Sequence, residues 1–213
     1  MVKAVIFDFD GTIVDTESLW YKVYYDYFKG KWNYELSLDA FVKGVGGDGN
    51  IVFQEAEQSI GTKINQQECR NDLSEIFNDY LESLTLREGI LDFIAEADSL
   101  GLDLAIATSS YRAFVVPLLE MFDIKHYFPI IKSRDDVHVV KPDPTLYLKA
   151  INKLGVDASE AIAIEDSTNG SVAAVDAGIH CIVVPNEVTE KSIFPKKVER
   201  INQFSGINLQ SYM

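Results

Sequence analysis

Four apolar runs, cut short by polar residues or proline, limit what this chain can fold into more than any other feature. Val2-Lys3-Ala4-Val5-Ile6-Phe7 stops at Asp8, and Leu102-Asp103-Leu104-Ala105-Ile106-Ala107 stops at Thr108. Ala161-Ile162-Ala163-Ile164 stops at Glu165-Asp166, and His180-Cys181-Ile182-Val183-Val184 stops at Pro185. Near-continuous apolar runs of this length read as strands buried on both faces, the mark of a parallel sheet. A weaker run lies at Pro129-Ile130-Ile131.

Helical patterns separate the strands. They cover 90–99 before Gly101, 113–121 before Phe122-Asp123, and 171–177 before Gly178. In Lys141-Pro142-Asp143-Pro144, Asp143 can cap a helix and Pro144 can occupy its first turn, with a stop at Gly155. Strand and helix alternating at this spacing predict an α/β fold with a Rossmann-like parallel-sheet core. One stretch breaks the rhythm. After the first strand come only helical patterns: 15–28, capped by Asp15 or Thr16 and stopped by Gly30, then 37–43, 51–58 and 66–81. This predicts a helical insert placed directly after strand one.

The chain carries 33 acidic against 19 basic residues, a net charge of −14. Such a field repels DNA, RNA and anionic membrane surfaces, and taken alone argues against anionic substrates too. The insert is the more densely negative part, with 13 acids and 6 bases over 15–84. Cys69 and Cys181 form no disulfide framework and show no metal-ligand spacing, so both read as reduced, partly buried thiols. Charges come too early for a signal peptide, and no apolar run approaches a membrane span. The expected location is cytoplasmic.

In open parallel sheets ligands bind at the carboxyl ends of the strands. Asp8, Asp10, Thr108, Ser109, Glu165 and Asp166 are therefore expected in one crevice. In Asp8-Phe9-Asp10-Gly11-Thr12, strand alternation would put both carboxylates on one side. Two like charges at about 4 Å repel by about 4 kcal/mol at an effective dielectric near 20, so such a pair usually holds a cation or shares a proton. With Glu165-Asp166 beside it, the set makes a hard-oxygen site suited to Mg²⁺. Thr108-Ser109-Ser110 precedes a helix and serves equally as a cap or as a phosphate ligand. Lys141, held by its prolines, is the counter-charge to four acids.

With these motifs in order, the sequence resembles the haloacid dehalogenase superfamily, in its β-phosphoglucomutase-like phosphatase branch, over essentially its whole length. The resemblance implies residues 1–14 and 82–213 as the catalytic core and 15–81 as a small helical cap domain. It implies Asp8 as the nucleophile, Asp10 as general acid and then base, and Thr108, the Ser109 amide and Lys141 as holders of the phosphoryl oxygens. Mg²⁺ would be held by Asp8, the Asp10 carbonyl and Asp166, with Glu165 beside it. The expected reaction is hydrolysis of a small phosphorylated metabolite, a sugar-phosphate-like monoester, through an aspartyl-phosphate. The alternative is a β-phosphoglucomutase-type isomerase. The family's mutases use an arginine in the cap's glycine-rich loop, and Gly47 occupies that place here, which favours hydrolysis. A dehalogenase would not need Asp10 or the metal-binding acids, and a phospho-acceptor signalling domain would need neither Asp10 nor the cap.

Three features invite other readings. Gly44-Val45-Gly46-Gly47-Asp48-Gly49 matches a dinucleotide fingerprint but follows a helical pattern, so it reads as a flexible loop at the mouth of the site. Asn169-Gly170-Ser171 matches a glycosylation sequon; the glycine is expected to serve the turn into the next helix. The aromatics Trp20, Tyr21, Tyr24, Tyr25, Tyr27, Phe28, Trp32 and Tyr34 are expected to pack within the insert, with Trp20 the one most apt to face substrate. Hinges are expected at 14–16 and 81–86.

Overall fold

A computed structural model describes residues 1–213. Strands β1 (Ala4–Phe7), β2 (Asp103–Ala107), β3 (Ile130–Lys132), β4 (Ala161–Glu165), β5 (His180–Val183) and β6 (Glu199–Arg200) form one sheet in the order β3-β2-β1-β4-β5-β6. Every neighbouring pair is parallel. The order reverses direction at β1, whose neighbours are β2 and β4, and that switch point is where a crevice opens in doubly wound sheets.

The strand sequences look uniformly apolar but divide by size between the two faces. Val5, Phe7, Leu104, Ile106, Ile162, Ile164 and Ile182 enter one core cluster. Ala4, Ile6, Ala105, Ala107, Ala161, Ala163, Cys181 and Val183 enter the other. The bulky face packs under helix α5 (Ile90–Ser99) and α6 (Arg112–Met121), where Phe7 meets Phe93 and Phe128 edge-on with centroids 5.8 and 5.6 Å apart. The alanine-rich face receives α7 (Thr145–Leu154) and α8 (Thr168–Asp176). Pro144 takes the N-cap position that was expected of Asp143, and Asp143, one residue earlier, accepts the Thr145 N–H at 2.9 Å, so both expected positions are shifted by one.

Between β1 and α5 lies the helical insert: α1 (Glu17–Trp32), α2 (Leu38–Val42), α3 (Asn50–Ile60) and α4 (Gln66–Asn78). Helix α1 runs through Gly30 and stops only at Asn33, which adopts left-handed φ at +52°. A single glycine costs a helix roughly 1 kcal/mol, less than the aromatic packing beyond it returns: Trp32 packs beside Tyr27 and Phe28. Thr16 stands at the N-cap position but makes no capping bond; its hydroxyl is used elsewhere. Tyr24 is the centre of the insert's core, 5.7 to 5.9 Å from Phe28, Phe41 and Phe53.

The two chain crossings between insert and sheet run side by side. Val14 bridges Leu86, and Asp15 N–H donates to Thr85 O at 3.1 Å. No helix is long and apolar enough to cross a membrane. The size asymmetry of the sheet generates a test. Ala163→Leu should lower stability in urea by about 1–3 kcal/mol through overpacking against α7 and α8, whereas Ile162→Val on the opposite face should cost only about 0.5–1.5 kcal/mol. Tolerance of the larger residue at position 163 would contradict the close helix approach.

Candidate active site

Asp8 follows β1 directly, and its N–H donates to Ile164 O at 2.9 Å, so the β1–β4 register carries it to the side of Glu165. Asp8 is 3% exposed and Glu165 0%. Lys141, itself 1% exposed, arrives from the loop before α7 and donates to Asp8 Oδ1 at 2.5 Å and Glu165 Oε1 at 2.7 Å. Glu165 Oε1 also accepts from the Tyr147 hydroxyl at 2.7 Å. Its Oε2 accepts from Ser167 Oγ at 3.1 Å and from the Asp166 and Ser167 amides. Both oxygens are thus occupied by protein donors, and Glu165 is anchored as a seat for Lys141. Gly170 makes room for that seat: a Cβ there would lie 2.0 Å from the carboxylate.

Asp166 is oriented from two sides, by Thr12 Oγ1 at 3.2 Å and Asn186 Nδ2 at 2.8 Å. One oxygen each from Asp8, Glu165 and Asp166 lie within 4.8 Å of one another. Burial, reinforced by Glu165, pushes the Asp166 carboxyl up to about 8. Burial also raises Asp8, against the pull of Lys141. Burial works against the Lys141 ammonium, but Asp8 and Glu165 outweigh it and hold its pKa above the usual lysine range. Three carboxylates against one ammonium leave a buried negative excess. Oxygen donors this close, two positive charges short of neutrality, fit a hard divalent cation.

Asp10 stands outside that cluster. Its Oδ2 accepts from Ser110 Oγ at 2.6 Å and more weakly from Thr108 Oγ1 at 3.4 Å, and its Oδ1 accepts from Thr16 Oγ1 at 2.9 Å. Burial raises its pKa, and these hydroxyls partly oppose the rise. Of the four acids expected in one crevice, Asp10 is the one whose carboxylate does not join the metal-type cluster; the atom that the resemblance assigns to the metal is its main-chain carbonyl. Thr108 is turned towards Asp10, and its Oγ1 also accepts the Ser110 N–H at 3.0 Å. Ser109 points its hydroxyl across to Gly46 O at 2.8 Å.

Asp8 and Asp10 open onto a cavity of about 440 Å³ roofed by the insert. Trp20 lines it while stacking on Phe77, 3.9 Å between centroids, so it packs and faces the cavity at once. The 44–49 loop connects α2 to α3 and follows no strand, which rules out the dinucleotide reading. Glu17, Arg70, Tyr147, Asn186 and Arg87 were not foreseen from the sequence; Thr12 and Ser110 stood inside the sequence motifs, Ser110 as a cap or phosphate ligand, and their hydroxyls meet Asp166 and Asp10. Glu17 is 6% exposed on the cavity wall, and burial beside Asp166 and Asp10 pushes its carboxyl well above the usual range. Arg70, from α4, is the one cation on that wall, bonded to Asn50 Oδ1 at 2.7 Å and lying over the Phe53 ring. Arg87 donates to the carbonyls of Gly11, Val184 and Pro185, tying the motif-bearing turns together. Asn186 alone carried a usable signal, as a polar residue just past the end of β5.

The family described as haloacid dehalogenase-like hydrolase matches residues 5–184. The protein named "Putative phosphatase YhcW" of Bacillus subtilis (strain 168) is 38% identical over 210 residues, 98% of this chain and 95% of that protein. Hexitol phosphatase B of Escherichia coli (strain K12) is 28% identical, covering 86% of this chain and 84% of that one. The crystal structure of CbbY from Rhodobacter sphaeroides in complex with xylulose-(1,5)bisphosphate superposes with a TM-score of 0.81 at 28% identity, covering 96% of each chain.

The acid cluster generates a pH test. Carboxyls raised by burial keep protons that the unfolded chain releases, so folding stability falls as pH rises from about 4 towards the Asp166 value of about 8. With a chelator present, the thermal midpoint should drop between pH 6 and pH 8. An added divalent cation should raise it at both, by more at pH 8, and Asp166→Asn should flatten the drop. A midpoint that holds or rises over that interval in chelator would contradict the buried negative excess.

Proposed function

The chain belongs to the haloacid dehalogenase-like hydrolases and is a phosphatase, and we propose that it cleaves small sugar-phosphate-like monoesters through a phosphoryl group carried on Asp8. The observation that carries this reading is the seating of Asp8. A buried lysine holds one of its oxygens at 2.5 Å, in contact with an acid cluster, and the residue opens onto a cavity beside a second, hydroxyl-bonded carboxyl.

A carboxylate does not approach a phosphate dianion without screening. Lys141 supplies one positive charge at the point of attack. When bound at Asp8, the Asp10 carbonyl and Asp166, with Glu165 beside it, Mg²⁺ would neutralise the remaining excess and polarise the phosphoryl oxygens. Thr108, the Ser109 amide and Lys141 orient those oxygens. An Asp8 oxygen attacks phosphorus and the ester P–O bond breaks. Asp10, whose burial favours the protonated form, gives its proton to the leaving alkoxide. Asp10 then takes a proton from water, the water oxygen attacks phosphorus, and inorganic phosphate leaves with the Asp8 carboxylate restored.

Residues 15–81 act as a cap over a core of 1–14 and 82–213, hinging near the paired crossings at Val14 and Leu86. The cap face presents Glu17, Gln67, Asn71 and Ser74 to the cavity, groups that bond hydroxyls. That wall suits a polyol or sugar, in keeping with the hexitol phosphatase relative. The net charge of −14 disfavours nucleic acid. One observation favours a second reading. Arg70 brings a cation to the cavity from α4, although the loop lacks one, and a cation there could hold a second phosphate as an isomerase requires.

Asp8→Asn should abolish p-nitrophenyl phosphate turnover with Mg²⁺ present; retained activity would refute the nucleophile. Asp10→Asn should slow hydrolysis of alkyl monoesters by about 10²–10⁴-fold, and that of p-nitrophenyl phosphate by less, because nitrophenolate leaves without a proton. A phosphate-release screen should include β-glucose 1-phosphate with its bisphosphate activator. Isomerisation outpacing release would replace the phosphatase reading with the mutase one.

A further inference from the structure

Two side chains of the sheet-bearing part reach from the turns after β2 and β4 to the main chain of the 44–49 loop. Asn169, near the start of α8, donates from Nδ2 to Val45 O at 2.8 Å and to Lys43 O at 3.3 Å. Ser109, at the end of β2, donates from Oγ to Gly46 O at 2.8 Å. The loop does not need either bond for its own shape. Its turns are closed internally, by Val45 N–H to Val42 O at 3.2 Å and Gly47 N–H to Gly44 O at 3.1 Å.

The loop backbone lies close against two catalytic segments at once. Gly46 has φ +73°, and a Cβ there would fall 2.2 Å from Ser167 Oγ. A Cβ on Gly47 would come within 3.3 Å of both Lys141 O and Asn169 Nδ2. The contact therefore spans the turn after β4, which carries Glu165 and Asp166, and the loop that carries Lys141. The same loop lines the cavity, so the bonds from Asn169 and Ser109 hold a segment of the cavity wall against the sheet-bearing part.

We propose that Asn169 is a positioning residue: its carboxamide is the catch that holds the 44–49 loop shut over the phosphoryl site, with Ser109 as the second catch. The catalytic consequence rests on the phosphatase reading; the catch itself does not. A carboxamide is suited to the task because it offers two N–H groups to two carbonyls, whereas an ionised carboxylate of the same size only accepts. Ser109 ties the catch to the phosphoryl site, since its hydroxyl holds Gly46 O and the phosphatase reading gives its amide a phosphoryl oxygen. Closure that excludes water and completes the site is a common route to rate.

The test compares the full-length protein with Asn169→Asp, Asn169→Ala and Gly46→Ala by hydrogen–deuterium exchange, read with thermal midpoints and with p-nitrophenyl phosphate kinetics in Mg²⁺. Each asparagine variant loses two hydrogen bonds, so exchange in the 43–49 segment should rise about tenfold or more. Exchange in β1 and β4 and the thermal midpoint should stay as in the parent. Gly46→Ala, whose methyl meets Ser167, should reproduce the same exchange pattern. In all three, kcat/KM should fall about tenfold, and Asn169→Asp, which keeps the side-chain volume, should fall at least as far as Asn169→Ala. Unchanged loop exchange in Asn169→Asp overturns the proposal. So does faster exchange spread through α8 and β4, which is the mark of a merely structural residue, or a faster loop with unchanged kcat/KM. If the parent protein hydrolyses no monoester, the functional reading fails, and the exchange comparison still decides the catch.

Discussion

The ammonium of Lys141, buried between Asp8 and Glu165, is the interaction on which the rest of the site depends. Taking an ion pair out of water costs several kcal/mol per ion unless every partner is hydrogen-bonded. Here Tyr147, Ser167 and two main-chain amides complete the shell of Glu165. The shell is built from residues close in sequence to the two charges. Tyr147 lies six positions after Lys141, on the helix that Lys141 precedes, and Ser167 lies two after Glu165. Ser167 also caps α8, accepting the Gly170 N–H at 3.0 Å. A capping residue, a helix start and a charge seat are one structure, so a change in any of them is felt at Asp8.

The sheet explains why that structure can exist at the switch point. Alanines on one face let α7 and α8 approach the strands closely, and both helices begin at the carboxyl edge of the sheet, beside Asp8. The bulky face carries most of the apolar core and continues into the insert through Phe9, Phe114 and Phe77. Rigidity is thus concentrated where charges are held. The insert meets the sheet through aromatic packing, the paired crossings at Val14 and Leu86, and the side-chain bonds to the glycine loop.

Five of the six strands and the acids Asp8, Asp10, Glu165 and Asp166 were legible in the sequence because each signal is local, an apolar run followed by a polar stop; β6, made of Glu199 and Arg200, has no such run and was missed. The register of β1 with β4 then brings Asp8 to Glu165 without further information. What was not legible depends on contacts between distant segments. Thr12 and Asn186 meet at Asp166 across more than 170 positions of chain, and Ser110 reaches Asp10 across 100. Thr16 was read as a helix cap because threonine before a helix usually is one, but its hydroxyl finds Asp10 instead. Arg70 was hidden by register: the cation was sought in the glycine loop, and it comes from the facing surface of α4. The extension of α1 through Gly30 was obscured because local propensity is weaker than the aromatic packing around Phe28 and Trp32.

The overall charge and the local charge make different arguments. A net −14 opposes any long polyanion that would lie along the surface. At the site the acids alone would repel a phosphate as well, because one lysine does not neutralise Asp8, Glu165 and Asp166 together. Phosphate affinity in this crevice is then conditional on a bound cation, which reverses the sign of the local field. Screening is weak in a buried site and strong at the surface. The attraction is accordingly confined to a group small enough to enter the cavity, and the acidity of the surrounding insert leaves a monoester with an uncharged body as the substrate that meets the least repulsion on the way in.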